Sequence, residues 1–417
     1  MRSDVPEPPA PLPQIIPRPE HNLSRKDVTV EALKVLYRLH HTGFKAYLVG
    51  GSVRDLLLGK LPKDFDVATD ARPGEIRKLF RNSRIIGKRF RLVQVFFRGG
   101  KIVEVSTFRC RSEFDDTPEA TLARNNTFGT PAEDANRRDL TINGLFYNIA
   151  DFSLVDYVGG LEDLKRGYIR VIGEPGVRFQ RDPVRMLRVL RHAARIGFTI
   201  DPAAWQELLA KGHLISLCPA SRLRDELSKD FRSGAASPFF NLMFTSKLFY
   251  AIFPTWSSRL GRSGEKGLVE LLGRVDTLIR AERPLSESLL WAIFLTPYLE
   301  PETLPENLKE KRDVIQNKVR EALGGIEFPR QRQEEVSQLL TVAAAILPFL
   351  RQKRPLPARL TRLAAYPEAM LLQQIKTAPA DELLERIPQE EMPPPVPRSK
   401  RRRPRRRFRG PRRPPGP

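Results

Sequence analysis

The strongest constraint on the fold is a change of period along the chain. Between residues 27 and about 160, the short runs AYLVG, DFDVAT, RLVQVFF and KIVEVSTF alternate apolar and polar residues, and glycine or charged turns separate them. One helical pattern, VTVEALKVLYRLHHTG, precedes them. Beyond residue 161 the period becomes helical, in segments such as SPFFNLMFTSKLFYAIF, SESLLWAIFLTPYLE and EEVSQLLTVAAAILPFL. A chain of 417 residues with 41% hydrophobic content can bury more than one core. The expected fold class is therefore an α/β domain over 26–160, followed by an all-α part that spans 161–235 and 236–390.

Neither end fits these patterns. Residues 1–25 are dense in proline and show no apolar face, which predicts a disordered or extended arm. Residues 391–417 form a second arm, and from Arg398 to Arg413 it holds ten Arg and one Lys with no acid. That stretch supplies half of the formal net charge of +22. The remainder is still basic, so polyanions are the expected partners, nucleic acid before a membrane surface. No apolar run is long enough to span a bilayer and the N-terminus lacks the core of a secretory signal, so the expected location is cytoplasmic. Cys110 and Cys218 have no CxxC partner and the five histidines lack ligand spacing, which argues against a zinc site.

Against this basic background, the stretch VGGSVRDLLLGKLPKDFDVATD places Asp64 and Asp66 two apart in a strand-like run. Residues i and i+2 share a face, while Phe65 and Val67 point into packing. Two adjacent carboxylates repel unless a cation lies between them. Mg²⁺ held by one or two carboxylates and by substrate phosphates would resolve the repulsion, and a pair of such ions can activate a hydroxyl and stabilise leaving pyrophosphate. Upstream, Gly50 and Gly51 would admit a phosphate to the backbone, Ser52 would begin a helix whose free N–H groups favour an anion, and Arg54 would add a planar cation. The same residues also fit a plain turn, with Ser52 and Asp55 at capping-box spacing.

Further candidates follow. Glu104 in KIVEVSTFR alternates with inward Val103 and Val105, as a third acid or as polar-face filler. ANRRDLTINGLFY places Arg137, Arg138 and Asp139 ahead of a helix-like segment; the arginines suit triphosphate oxygens, and Asp139 suits either a cap or a site-orienting role. In RDPVRMLRVLRHAARIGF, Asp182 precedes Pro183 at a helix start, and Arg185, Arg188, Arg191 and Arg195 share one helix face. That stripe is either solvated or, with Asp182, able to offer acceptor and donors to a base edge. The polar stretch 111–137 is too long for an ordinary connection and should be mobile or functional.

Taken together, these motifs resemble the class II family of bacterial poly(A) polymerases and tRNA CCA-adding nucleotidyltransferases. GGSVRD with DFD is similar to the family's first motif, RRDLTIN to its second, DYVGGLEDL at 156–164 to its third, DPVR to its fourth and PASRLRDEL at 219–227 to its fifth. The resemblance implies a polymerase β-like head built on a mixed sheet (26–160), an all-α neck (161–235) and body (236–390), ATP as substrate and two Mg²⁺ ions held by Asp64 and Asp66, with Glu104 and Asp139 as supporting acids. It also implies Gly50, Gly51, Ser52, Arg54 and Arg137 or Arg138 near the triphosphate, and Asp182 and Arg185 reading the base with help from Arg188 and Arg191. Arg181 departs from the family, which usually has Glu there, and this leaves the base preference open. Within the family, RIIGKRFRLVQVFF and the arginine-rich tail resemble the poly(A) polymerases. The function implied is transfer of AMP from ATP to RNA 3′ ends with release of pyrophosphate. The alternatives are CCA or A addition to tRNA, and an inactive RNA-binding protein of the same fold.

Overall fold

The structure is a computed structural model and describes residues 12–87, 91–110, 128–299, 304–379 and 381–388. The expectations for Lys88 to Phe90, for 111–127 and for the tail 391–417 lie outside the described residues. Eight strands form one sheet: β1 (Gln14–Ile16), β2 (Ala46–Val49), β3 (Asp66–Thr69), β4 (Ser83–Ile86), β5 (Leu92–Phe96), β6 (Ile102–Thr107), β7 (Leu145–Asn148) and β8 (Leu154–Asp156). Their order is β1-β8-β7-β2-β3-β6-β5-β4. Only β3 and β6 pair in parallel, and the other neighbours are antiparallel. The extended option holds for part of the N-terminal arm, because β1 lies inside residues 1–25 and lengthens the sheet at one edge.

One face of the sheet carries α1 (Val30–His41). Its Val35, Leu36 and Leu39 are fully buried in one core with Leu48, Val67 and Val105. Among the described residues five helices accompany the sheet: α1, α2 (Gly51–Leu57), α3 (Pro73–Leu79), α4 (Pro131–Arg137) and α5 (Gly160–Arg166). On the opposite face Val49, Ala68, Phe108, Ala135 and Phe146 form a second, smaller cluster, so that face is covered only in part.

The helical segments follow in order. The neck holds α6 (Pro175–Arg181), α7 (Val184–Ile196), α8 (Pro202–Lys211) and α9 (Ala220–Phe231). Two short strands, β9 (Tyr168–Ile169) and β10 (Thr199–Ile200), pair in parallel within this otherwise helical part. The body contains α10 (Ala236–Thr245), α11 (Leu248–Ile252), α12 (Gly261–Arg280), α13 (Glu287–Leu299), α14 (Leu308–Ala322) and α15 (Arg330–Arg351). Helix α13 is apolar all round because it is buried all round: Trp291, Phe294 and Tyr298 are sealed among Phe231, Trp256 and Phe328. Among the described residues, no helix is long and apolar enough to cross a membrane.

Candidate active site

Helix α2 begins at a glycine that no other residue replaces easily. Gly50 has φ 75 and ψ −143, a region costly for any side chain. A Cβ there would lie 3.5 Å from Nη1 of Arg138 and 3.8 Å from Oδ2 of Asp66. Backbone, acid and cation therefore converge where β2 ends. Ser52 is buried and donates to the Val49 carbonyl at 3.0 Å, which tightens the turn. No side chain caps α2, so the capping-box alternative is not realised.

Asp66 opens β3, and Asp64 lies just before it, exposed. The parallel register sets Asp66 opposite Glu104 of β6. Asp66 is open to water from one side, yet the surrounding protein withdraws much of its hydration. That desolvation, with Glu104 and Asp64 nearby, pushes its carboxyl up to about 6 although Arg138 pulls the other way. Gln94 on β5 donates to Glu104 Oε1 at 2.9 Å and fixes it beside the pair. Gln94 was not anticipated, although its place in the alternation of RLVQVFF sets it opposite Glu104.

A divalent ion fits this spot by the chemistry of its donors. A carboxyl crowded by two others, with one guanidinium in partial compensation, is the environment that a hard cation relieves. Among the described residues no three His, Cys, Asp or Glu side chains form a metal cage, so any ion here takes its remaining ligands from substrate or water.

The RRDLTIN segment folds differently from expectation. Its arginines end a helix instead of preceding one: α4 starts at a capping box of Thr130 and Glu133 with Pro131 at its first turn, and it closes on Arg138. A single 3₁₀ turn, Thr141–Asn143, then leads into β7. Arg138 pairs with Asp134 at 2.9 Å and lies over the Phe146 ring, which holds it toward Asp66. Arg137 instead donates to the Cys110 carbonyl at 2.7 Å.

Arg54 also departs from the expectation of a phosphate ligand. It is 4% exposed, and it bonds Asp55, Oδ1 of Asn143 at 2.6 Å and Nδ1 of His192 at 3.3 Å. Gly51 packs against this guanidinium, with a built Cβ 3.3 Å from Nη2. Asp139 is buried and meets Arg188 of α7 at 2.8 Å. Burial alone would raise its carboxyl, but Arg188 and Arg185, with a hydrogen bond from Asn143, hold it below the usual range. His192 was not anticipated. Burial, aided by Arg54, Arg188 and Arg191 against Asp139, pushes its imidazole down to about 3, so it is neutral.

The arginine stripe of α7 is a solvated face only at its end, where Arg195 is exposed; Arg185 and Arg188 are half-buried and Arg191 is buried. Arg191 makes four hydrogen bonds to Asp230 and Glu226 of α9, and it is not brought to the other candidates. Asp182 does not cap α7. Its two oxygens accept from Arg222 of α9 at 2.7 and 2.9 Å, a clamp signalled only by PASRLRDEL. Arg185 lies 3.8 Å from Asp182, and its Nη1 is buried with no hydrogen-bond partner among the described residues. The segment DYVGGLEDL braces the turn from below. Asp156 accepts from the N–H groups of Val158, Gly160 and Leu161, Asp163 accepts from Thr141 at 2.7 Å, and a Cβ on Gly160 would strike the Thr141 carbonyl.

A family model described as the poly A polymerase head domain matches residues 46–170. A second, described as a probable RNA and SrmB-binding site of polymerase A, matches residues 197–260. Poly(A) polymerase I of Salmonella typhi is 44% identical over 299 residues, which are 69% of this chain and 64% of that protein. Poly(A) polymerase I of Haemophilus influenzae is 37% identical over 315 residues, covering 73% of this chain and 68% of that one. The solved structure of the Bacillus stearothermophilus CCA-adding enzyme in complex with CTP superposes with a TM-score of 0.64 at 25% identity, over 86% of this chain and 81% of that one. The chain thus matches somewhat under two thirds of the length of the Salmonella relative.

Proposed function

The chain belongs to the family of poly(A) polymerases and CCA-adding enzymes, and we propose that it adds AMP from ATP to RNA 3′ ends, releasing pyrophosphate. The observation that carries this reading is the convergence of Asp66, Glu104, Gly50 and Arg138 at the ends of β2 and β3. The RNA 3′ hydroxyl gives up its proton to water as its oxygen attacks the α-phosphorus of ATP, the bond from that phosphorus to the β-phosphate oxygen breaks, and pyrophosphate leaves in line with the attack.

Asp64 and Asp66 would hold magnesium, which supplies charge stabilisation to the transferring phosphoryl group and acidifies the hydroxyl. The chain's own groups do the rest. Gly50 leaves room for phosphates against Asp66, Arg138 offsets their charge, and Glu104, steadied by Gln94, keeps the spot attractive to cations. Arg188 and Asp139 tie α7 to the head, so the base reader and the acids hold one geometry. Asp182, oriented by Arg222, presents an acceptor, while the unpartnered Nη1 of Arg185 awaits one. A base edge with both a donor and an acceptor satisfies the two groups together, and a mismatched base leaves one of them dry and unpaired. Arg54, Ser52 and Arg191 act in this scheme by supporting the turn and the helices.

We assign catalysis to 26–160, base recognition to 161–235 and RNA binding to 236–390, in the cytoplasm, where the substrate would be messenger or other single-stranded RNA. Incubating the protein with an unstructured RNA and with tRNA lacking its 3′ end, each with single nucleotides, tests this. Long adenylate tails on either RNA support the reading. One to three additions confined to tRNA would favour CCA or A addition, and binding without extension would leave an RNA-binding protein.

A further inference from the structure

The partly covered face of the sheet continues outward from the acidic pair. On β6 and β5, Val103, Val105, Val93 and Val95 are buried toward α1 and α3, so alternation sends Ile102, Glu104, Gln94 and Phe96 to the other face. The register arranges them in rows. Asp66 stands opposite Glu104, Glu104 opposite Gln94, and Gln94 opposite Arg84 on the edge strand β4. In the adjoining row Phe96 faces Ile102, and these two are 38% and 44% exposed. Three strand spacings put Arg84 about 14 Å from Asp66.

The charge along this path is one-sided. No Asp or Glu occurs between Glu75 and Glu104. Arg81, Arg84, Arg91 and Arg98 are exposed, and none has an acidic partner among the described residues. An open apolar pair beside catalytic acids, bordered by unpaired arginines, matches the two needs of single-stranded nucleic acid: a surface for stacking and cations for the backbone. An acidic protein would use the arginines but has no need of a Phe–Ile pair contiguous with the acids.

We infer that the β6-β5-β4 face is a track for the last nucleotides of single-stranded RNA entering the site, with a base stacked on Phe96 and Ile102 and backbone phosphates on Arg84 and its neighbours. The inference rests on the adenylation reading. Its test uses the full chain, ATP and a short oligoadenylate primer, so that contacts farther along the RNA contribute little. Phe96→Ser should raise the primer KM roughly tenfold, as loss of a stacked base does, while Phe96→Tyr keeps it near wild type. Arg84→Gln should raise it and lower the salt slope of primer binding by about 1. The KM for ATP should not move in any of them. If wild type extends the primer and the variants match its primer KM, the track is wrong while the adenylation reading stands. If the KM for ATP rises as much as that for primer, the residues serve the site as a whole and the track is again wrong. If wild type adds no AMP to any RNA, the adenylation reading itself fails, and the track with it.

Discussion

Arg188 meets Asp139 at 2.8 Å, and through this pair the helix that carries Arg185 is bonded to the segment that carries Arg138. The two arginines proposed to face base and triphosphate thus sit on elements joined by this ion pair, with the neutral imidazole of His192 packed beside it. Arg188→Ala should leave Asp139 buried with less compensation and destabilise the fold by about 1–3 kcal/mol in urea unfolding. It should also raise the KM for ATP, and Arg188→Lys should recover part of both. A variant as stable as wild type with an unchanged KM would show that the pair does not couple head to neck.

Replacing either acid of the pair tests the proposed chemistry most directly. Asp64→Asn and Asp66→Asn should each lower AMP incorporation at least about a hundredfold, the scale for losing a group that stabilises transition-state charge. RNA binding in a gel-shift assay should stay close to wild type. Retained turnover in both variants would refute the assignment.

Gly50 offers a backbone test. At φ 75 and ψ −143, Gly50→Ala should cost about 1–3 kcal/mol of strain. The new methyl group would also stand in van der Waals contact with Arg138 and Asp66, in the space proposed for phosphate, so activity should fall by more than the melting temperature alone accounts for. The comparison is specific activity at a temperature where both proteins remain folded.

His192 has a consequence for acid stability. Its folded-state pKa is pushed down to about 3 from an ordinary 6.5, so below pH 6.5 the unfolded chain binds a proton that the native state refuses. Stability should therefore be complete above pH 6.5 and decline as the pH falls toward 3, by up to about 1.4 kcal/mol per pH unit from this group. His192→Gln, which cannot titrate, should show a shallower decline over the same window. Equal slopes for variant and wild type in pH-dependent unfolding would show that the imidazole is not held neutral.

The basic tail makes a separate prediction. Removing residues 398–417 takes away ten Arg and one Lys, so RNA affinity should fall and its dependence on salt should flatten. Identical binding isotherms across a salt series would show that the segment plays no part.

Local periodicity was enough to read the alternation of Asp64, Phe65, Asp66 and Val67, the glycine turn before α2 and the change to helices after the sheet, because each is decided by neighbours one to four residues away. The same local rules misplaced the helix of RRDLTIN, where the capping box at Thr130 and Glu133 starts α4 upstream of the arginines. They also left the α7 stripe undecided. Arg54 reaches Asn143 across 89 positions, Arg222 reaches Asp182 across 40 and Arg191 reaches Asp230 across 39. A charged side chain looks alike in sequence whether water or a buried carboxylate receives it. Only the packing of head against neck removed the water and chose the partner, and with that choice settled which arginines are left free for a substrate.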